Sequence, residues 1–166
     1  MRIDCRRFAI AAGLLAAGCL AVPASAADYA TVVVSDLDLP GGHMAMRLST
    51  TTVRAGKVKF VSGNGSDKGR DHEVLMIKTD LDPKDLPSTI DGMAIDEHML
   101  KGLQELGDLK AGESKTATAV LSPGMYLLFC NKPGHTGSGM FAKLKVTETV
   151  GAQAPAEGPE PRNLAD

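Results

Sequence analysis

The chain has 166 residues and a formal net charge of −2, with 43% hydrophobic and 23% charged residues. This length fits one ordinary domain, and the charge excludes a broadly basic surface for binding nucleic acid. The acidic excess is also too small to identify a docking surface by itself.

Residues 1–26 have the pattern of a secretory signal peptide. Three arginines precede an apolar run over 8–22, and the small residues 24–26 form a cleavage site. The apolar run is too short for a membrane span. We therefore expect an exported, periplasmic protein.

Cleavage after Ala26 would leave 140 residues with a net charge of −4 and a single cysteine, Cys130. No intramolecular disulfide could form in that chain, so Cys130 is either a small buried side chain or a functional thiol. An alternative is lipid attachment at Cys19, which lies in a sequence loosely like a lipobox. The cleavage site downstream of Cys19 favours simple export.

Residues 27–150 predict one all-β domain. The predicted strands, which alternate in polarity or are rich in β-branched residues, cover 31–39, 45–53, 57–61, 72–79, 114–121, 125–130 and 140–147. Short strands with turns between them predict a Greek-key β-sandwich. The tail over 151–166 is rich in Ala, Pro, Gly and Glu, a composition that predicts disorder.

An insertion over about 81–107 interrupts this series of strands. Ile95, Met99, Leu103 and Leu106 recur at helical spacing and predict a short helix over 95–106. We interpret the insertion as a side-cap or lid that packs on the sandwich.

Cys130, His135 and Met140 form a C-x4-H-x4-M motif near the end of the domain. Thiolate, imidazole and thioether are soft ligands that copper prefers. With one more histidine, they would complete the trigonal His₂Cys site with a weak axial Met that serves electron transfer.

Strand periodicity is compatible with this motif. Cys130 ends one predicted strand, Met140 begins the core-facing row of the next, and His135 lies on the loop between them. The glycines of that loop, at 134, 137 and 139, permit the tight backbone that brings the three together. All three side chains can therefore meet at one end of the sandwich.

The fourth ligand must come from His43, His72 or His98, the other histidines of the chain. We favour His72, because it opens a strand directly after a loop and its row partners Val74 and Met76 are apolar. His98 lies among acidic residues in the predicted helix, where a solvated position is expected.

A second interpretation concerns His43, Met44 and Met46, whose spacing suits an exchangeable copper site in a carrier or chaperone. The simpler interpretation, which we favour, is that the two methionines are core residues on one strand face.

An enzyme is not expected. Copper oxidases and nitrite reductases need further ligands, commonly paired as His-x-His, and the sequence has no such pair. A dinuclear copper site of the terminal-oxidase kind needs two cysteines. No Ser/His/Asp set or phosphate-binding glycine loop stands out, and zinc sites rarely use methionine.

The residues over 121–146 and 109–114 resemble the C-terminal half of a cupredoxin, and those over 56–60 and 72–74 resemble its earlier strands. The Cys–His and His–Met spacings are more similar to those of auracyanins than to those of plastocyanin or azurin. The resemblance leaves the subfamily, and hence the redox partner, open.

The resemblance implies one type 1 copper per chain, with His72, Cys130 and His135 as equatorial ligands and Met140 as the axial ligand. It also implies a monomer that carries single electrons between redox partner proteins in transient encounters. His135 would be the electron port. An apolar surface around Pro133, with Met93 or Met99 from the insertion, would be the docking patch.

Overall fold

The computed structural model describes residues 29–148, so the predicted signal peptide over 1–26 and the predicted tail over 151–166 lie outside the described residues. The strands are β1 Ala30–Asp38, β2 Met44–Leu48, β3 Thr52–Arg54, β4 Gly56–Asn64, β5 His72–Lys78, β6 Gln104–Leu109, β7 Ser114–Leu121, β8 Gly124–Phe129 and β9 Phe141–Thr147. Short 3₁₀ turns at Pro40–Gly42, Pro83–Asp85 and Glu97–Met99 supply the helical residues of this part of the chain.

These strands form two sheets, which confirms the predicted all-β sandwich. One sheet has the order β2-β1-β4-β7, and the other has the order β3-β9-β8-β5-β6. Most neighbours are antiparallel, while β1 pairs with β4, and β3 with β9, in parallel. Within residues 29–148, no helix is long and apolar enough to span a membrane.

The main core lies between the two sheets and follows from period-two alternation. In β1 and β4, the inward rows are fully buried at Val32, Val34, Val58 and Phe60. Cys130 and Met140 belong to the same buried cluster. Cys130 directly follows β8 and Met140 directly precedes β9, so the metal-ligand motif sits at one end of this core.

The predicted strand over 45–53 is wrong in one respect, because the segment divides between the two sheets. Met44 and Met46 face the core from β2, whereas Val53 faces it from β3. A single extended strand would turn even-numbered and odd-numbered residues to opposite faces. The chain must therefore break between them, and it does so over 49–51.

The continuous helix predicted over 95–106 does not form. Only the single turn Glu97–Met99 is helical, and from Gln104 the chain is strand β6, which pairs with β5. Gly102 has a φ of +77°, outside the helical region, and β6 covers the edge of β5 that would otherwise be unpaired. Residues 104–107, assigned above to the insertion, thus belong to the sandwich.

The rest of the insertion is a side-cap on the outer face of the second sheet. Leu86 and Ile95 pack there against Leu75, Ile77, Leu127 and Phe129 in a second hydrophobic cluster. Strands β5 and β8 are therefore buried on both faces, which explains why their sequences are nearly continuous apolar runs.

Candidate metal centre

Three side chains predicted as ligands meet at the end of the core. The ligand atoms of His72, Cys130 and His135 all lie within 4.8 Å of one another. The two Nδ1 atoms are 3.2 Å apart, and Cys130 Sγ lies 3.3 Å from Nδ1 of His135. His72 and Cys130 are fully buried and His135 is half-buried.

The loop from Cys130 to Met140 is held by its own backbone. The Cys130 N–H donates to the Met140 carbonyl at 3.0 Å, so the two ends of the loop are joined where β8 passes into β9. The Met140 N–H donates to the His135 carbonyl at 3.1 Å. Met140 is fully buried, and its backbone is bonded to both Cys130 and His135.

Gly139 lies where this loop closely approaches strand β2. Its φ is +104°, and a Cβ added there would lie 2.8 Å from the Met44 carbonyl oxygen. The Met44 N–H also donates to the Ser138 carbonyl at 2.9 Å. The loop therefore needs glycine at this position to pack beside β2.

The remaining histidines and the His43-Met44-Met46 motif lie elsewhere. His43 and His98 are exposed. Neither belongs to the cluster of metal-ligating side chains found within residues 29–148. Met44 and Met46 are 8% and 5% exposed and belong to the main core, as the simpler interpretation predicted.

The electrostatics of the site favour neutral imidazoles and a protonated thiol when no metal is bound. Burial lowers the pKa of His72, and the neighbouring His135 lowers it further. Burial, assisted by Arg70, also lowers the pKa of His135. Burial raises the pKa of the Cys130 thiol to about 11, so a metal must displace a proton to bind the sulfur.

Glu73, which the sequence patterns did not single out, supports the site from the position after His72. Its N–H donates to Cys130 Sγ at 3.4 Å, and its Oε1 accepts from the Asn131 N–H at 3.0 Å. Its other oxygen lies 3.9 Å from Lys132 Nζ. The only available signal was its place beside a predicted ligand.

Asn131 connects the ligand loop to the insertion. Its side-chain oxygen accepts from the Ile95 N–H at 2.7 Å, and its amide nitrogen donates to the Ile95 carbonyl at 2.9 Å. The Gly134 N–H donates to the Met93 carbonyl at 2.7 Å. The side-cap therefore also braces the loop that carries His135.

The donor set fits copper. One thiolate and two imidazoles form a soft, nitrogen-rich set, and the sulfur receives an N–H hydrogen bond that orients it. The buried Nε2 of His72 has no hydrogen-bond partner among residues 29–148, and the Nδ1 atoms of the two rings face each other instead. A buried ring nitrogen without a partner is costly, and the ligand atoms of the two rings and of Cys130 are close enough to hold one metal ion.

Comparison with known proteins agrees with this chemistry. Residues 33–147 match the family of copper binding proteins described as the plastocyanin/azurin family. The chain resembles auracyanin B, with 23% identity, a TM-score of 0.50, and coverage of 70% of this chain and 88% of that one. A reduced auracyanin from Roseiflexus castenholzii also has a TM-score of 0.50, with 21% identity and coverage of 70% and 96%.

A curated relative is the iron uptake system component EfeO of Yersinia pestis. It is 30% identical over 152 residues, which are 92% of this chain and 32% of that protein. The chain thus spans about a third of the length of the curated relatives it matches.

The fold, the His-Cys-His cluster and the family match lead to one conclusion, which confirms the cupredoxin resemblance. This chain belongs to the plastocyanin/azurin family of copper-binding proteins, and its cofactor is one copper.

Proposed function

We propose that this protein carries single electrons between redox partners through one type 1 copper site. The ligands would be His72, Cys130 and His135, with Met140 as the weak axial ligand. The observation that carries the proposal is the convergence of two imidazoles and one thiol within 4.8 Å, in a loop whose backbone also holds Met140. Bound copper supplies the one-electron chemistry.

The protein's part in electron transfer is to hold the ligands and exclude water. His72 and Cys130 are fully buried, and the loop is fixed to β2 and to the side-cap by backbone hydrogen bonds. Ligands held in this way need to move little when the charge at the site changes by one. The N–H of Glu73 keeps the Cys130 sulfur oriented and helps to set the reduction potential.

His135 is the proposed electron port, because it is the half-buried member of the set. A groove of about 610 Å³ is lined by Thr136, the residue that follows His135, and in part by Met93, Ile95 and Phe141. Met93 is 50% exposed and its backbone contacts the loop at Gly134. We propose the part of this groove around Met93 as the surface that docks a redox partner in a small, transient interface.

We assign no catalytic reaction to the chain, and we expect it to act as a monomer. Export to the periplasm is proposed from the signal-peptide pattern over 1–26, with lipid anchoring at Cys19 as the less favoured alternative. The redox partner would then be another exported or membrane-associated protein.

A second candidate function follows from the resemblance to the iron uptake component EfeO. The same site could exchange electrons with iron, so that Fe(II) gives one electron to the oxidised centre and becomes Fe(III). Mixing the oxidised protein with Fe(II) in a stopped-flow spectrometer would reveal this as rapid bleaching of the visible band.

Copper carriage through His43, Met44 and Met46 is less favoured because both methionines are buried in the core.

Two rates distinguish electron carriage from copper carriage. The electron self-exchange rate can be obtained from NMR line widths in mixtures of reduced and oxidised protein, and the copper off-rate from transfer to a chelator. We expect fast self-exchange and slow copper loss. Slow self-exchange with rapid copper release would contradict the proposal.

A further inference from the structure

Asp36 is a carboxylate buried inside the sandwich. It continues the inward row of Val32 and Val34 on β1 and is 0% exposed. Neither carboxylate oxygen has a hydrogen-bond partner among residues 29–148, and the same holds for the buried hydroxyl of Ser62 on the neighbouring β4. A buried carboxylate without partners is costly in its charged form and calls for an explanation.

The groups around Asp36 on its own sheet carry little compensating charge. From β2, the inward residues are Met44 and Met46, and from β4 they are Ser62 and Asn64, none of them titratable. The inward faces of both neighbouring strands therefore offer Asp36 no cation.

Further along β1, Asp38 is the nearest acid, and it pairs with Arg70 at 3.0 Å. Arg70 is thereby engaged at the rim of the site. Asp36 pairs with Met46 on β2, and the next inward residue of β2, Met44, is hydrogen-bonded to the ligand loop at Ser138. The negative charge of Asp36 also raises the pKa of the Cys130 thiol. The other titratable groups at that end are His72 and His135, which complete the metal cluster, and Glu73 with its ion-pair partner Lys132.

Burial raises the pKa of Asp36 to about 7. Its carboxyl group therefore changes charge near neutral pH, and a change of charge across the core at Cys130 shifts that equilibrium. Loss of positive charge from the centre favours the protonated acid, and gain of positive charge favours the carboxylate.

Resting on the electron-transfer function proposed above, we propose that Asp36 is the proton acceptor coupled to the redox change at this centre. When a redox partner gives one electron to the centre, the Asp36 carboxylate takes one proton from solvent and becomes a carboxylic acid. When the electron leaves, that O–H bond breaks and the proton returns to solvent. The reduction potential therefore falls as the pH rises.

The test is a spectroelectrochemical titration of the copper-loaded full chain and its Asp36→Asn variant across neutral pH. In the wild type, the equilibrium constant for reduction should fall about tenfold per pH unit over the pH range in which reduction takes up one proton. For a one-electron couple, this corresponds to a fall in the reduction potential of about 59 mV per pH unit. In Asp36→Asn, this dependence should be lost. Asp38→Asn is the matched control, because it removes a nearby negative charge and should shift the potential while keeping the wild-type slope.

The outcomes separate the two proposals. If Asp36→Asn keeps the wild-type slope, Asp36 is not the coupled group, although the centre still transfers electrons. If the wild type shows no reversible couple, the electron-transfer function and this inference both fail. Should the variant not fold, ¹³C NMR of carboxyl groups in the metal-free wild type decides the matter. Asp36 must then titrate near neutral pH, and an ordinary aspartate value would overturn the inference.

Discussion

Asp36 shows at the scale of one residue how a buried charge affects both stability and function. An ordinary aspartate in the unfolded chain has a pKa of about 4, whereas burial raises the folded-state pKa of Asp36 to about 7. Between these values the folded protein holds a proton that the unfolded chain has lost. This group therefore contributes most to stability at low pH, and its contribution is lost as the pH rises through the folded-state value.

The free energy of unfolding of the metal-free protein should reflect this difference. Relative to Asp36→Asn, the wild type should lose about 4 kcal/mol as the pH rises from about 4 to about 7, and little more above that. Urea unfolding of both proteins at a series of pH values measures it. Comparison with the variant removes the contributions of Glu73 and Asp38, and parallel pH profiles would show that Asp36 does not titrate in this range.

Single residues of the site differ in how far the sequence reveals them. Cys130, His135 and Met140 could be found because they are close in sequence and each is a metal-ligand type. His72 could be favoured only from its place at the start of a strand. The burial of Asp36 could not be predicted, because a polar residue near the end of a strand is ordinarily solvent-exposed. Only the arrangement of the two sheets shows that this one is enclosed.

At the scale of elements, the ligand loop depends on close packing against β2. Gly139 has a positive φ and lies against the Met44 carbonyl, whereas Gly137 in the same loop has its nearest atom 3.7 Å from an added Cβ. The backbone therefore requires glycine at position 139 but not at position 137, a difference that the sequence alone does not reveal.

Gly139→Ala should destabilise the protein by about 2–4 kcal/mol, because it combines backbone strain with overpacking against β2. Because the loop carries His135 and precedes Met140, the same change should speed copper release. Gly137→Ala should cost less than about 1 kcal/mol and serves as the control. Chemical unfolding and chelator competition measure both effects, and equal results for the two variants would show that the approach to β2 does not constrain the loop.

The strands were largely predictable because inward and outward residues alternate, and β7 has the bounds expected from the sequence. The two errors have tertiary causes. The segment over 45–53 contains a change of face that only the two-sheet arrangement explains. The apolar stripe over 95–106 has helical spacing, but Ile95 packs on the outer face of a sheet and Leu106 lies inside strand β6.

For the whole molecule, the side-cap has a double role. It buries the outer face of β5 and β8, and it places Met93 at the ligand loop beside the half-buried His135. Met99, on the same insertion, is 65% exposed, and no backbone hydrogen bond joins it to the loop within the described residues. These two methionines thus allow a matched test of the docking surface.

Met93→Glu should lower the electron self-exchange rate about tenfold, since a charge in a small interface must be desolvated and faces a like charge on the second copy. Met99→Glu adds the same charge away from the loop and should have a much smaller effect. NMR line widths of half-oxidised samples measure both rates, with the visible spectrum and potential as checks that the copper site is unchanged. Equal slowing by the two substitutions would indicate a general effect of charge and contradict the proposed docking surface.

The visible absorption spectrum of the purified protein after addition of Cu(II) tests whether a type 1 copper site is built on Cys130. We expect an intense band from charge transfer between the Cys130 thiolate and copper, which disappears in Cys130→Ser while the variant stays folded. A wild-type protein that binds copper without this band, or a Cys130→Ser variant that keeps it, would contradict the account.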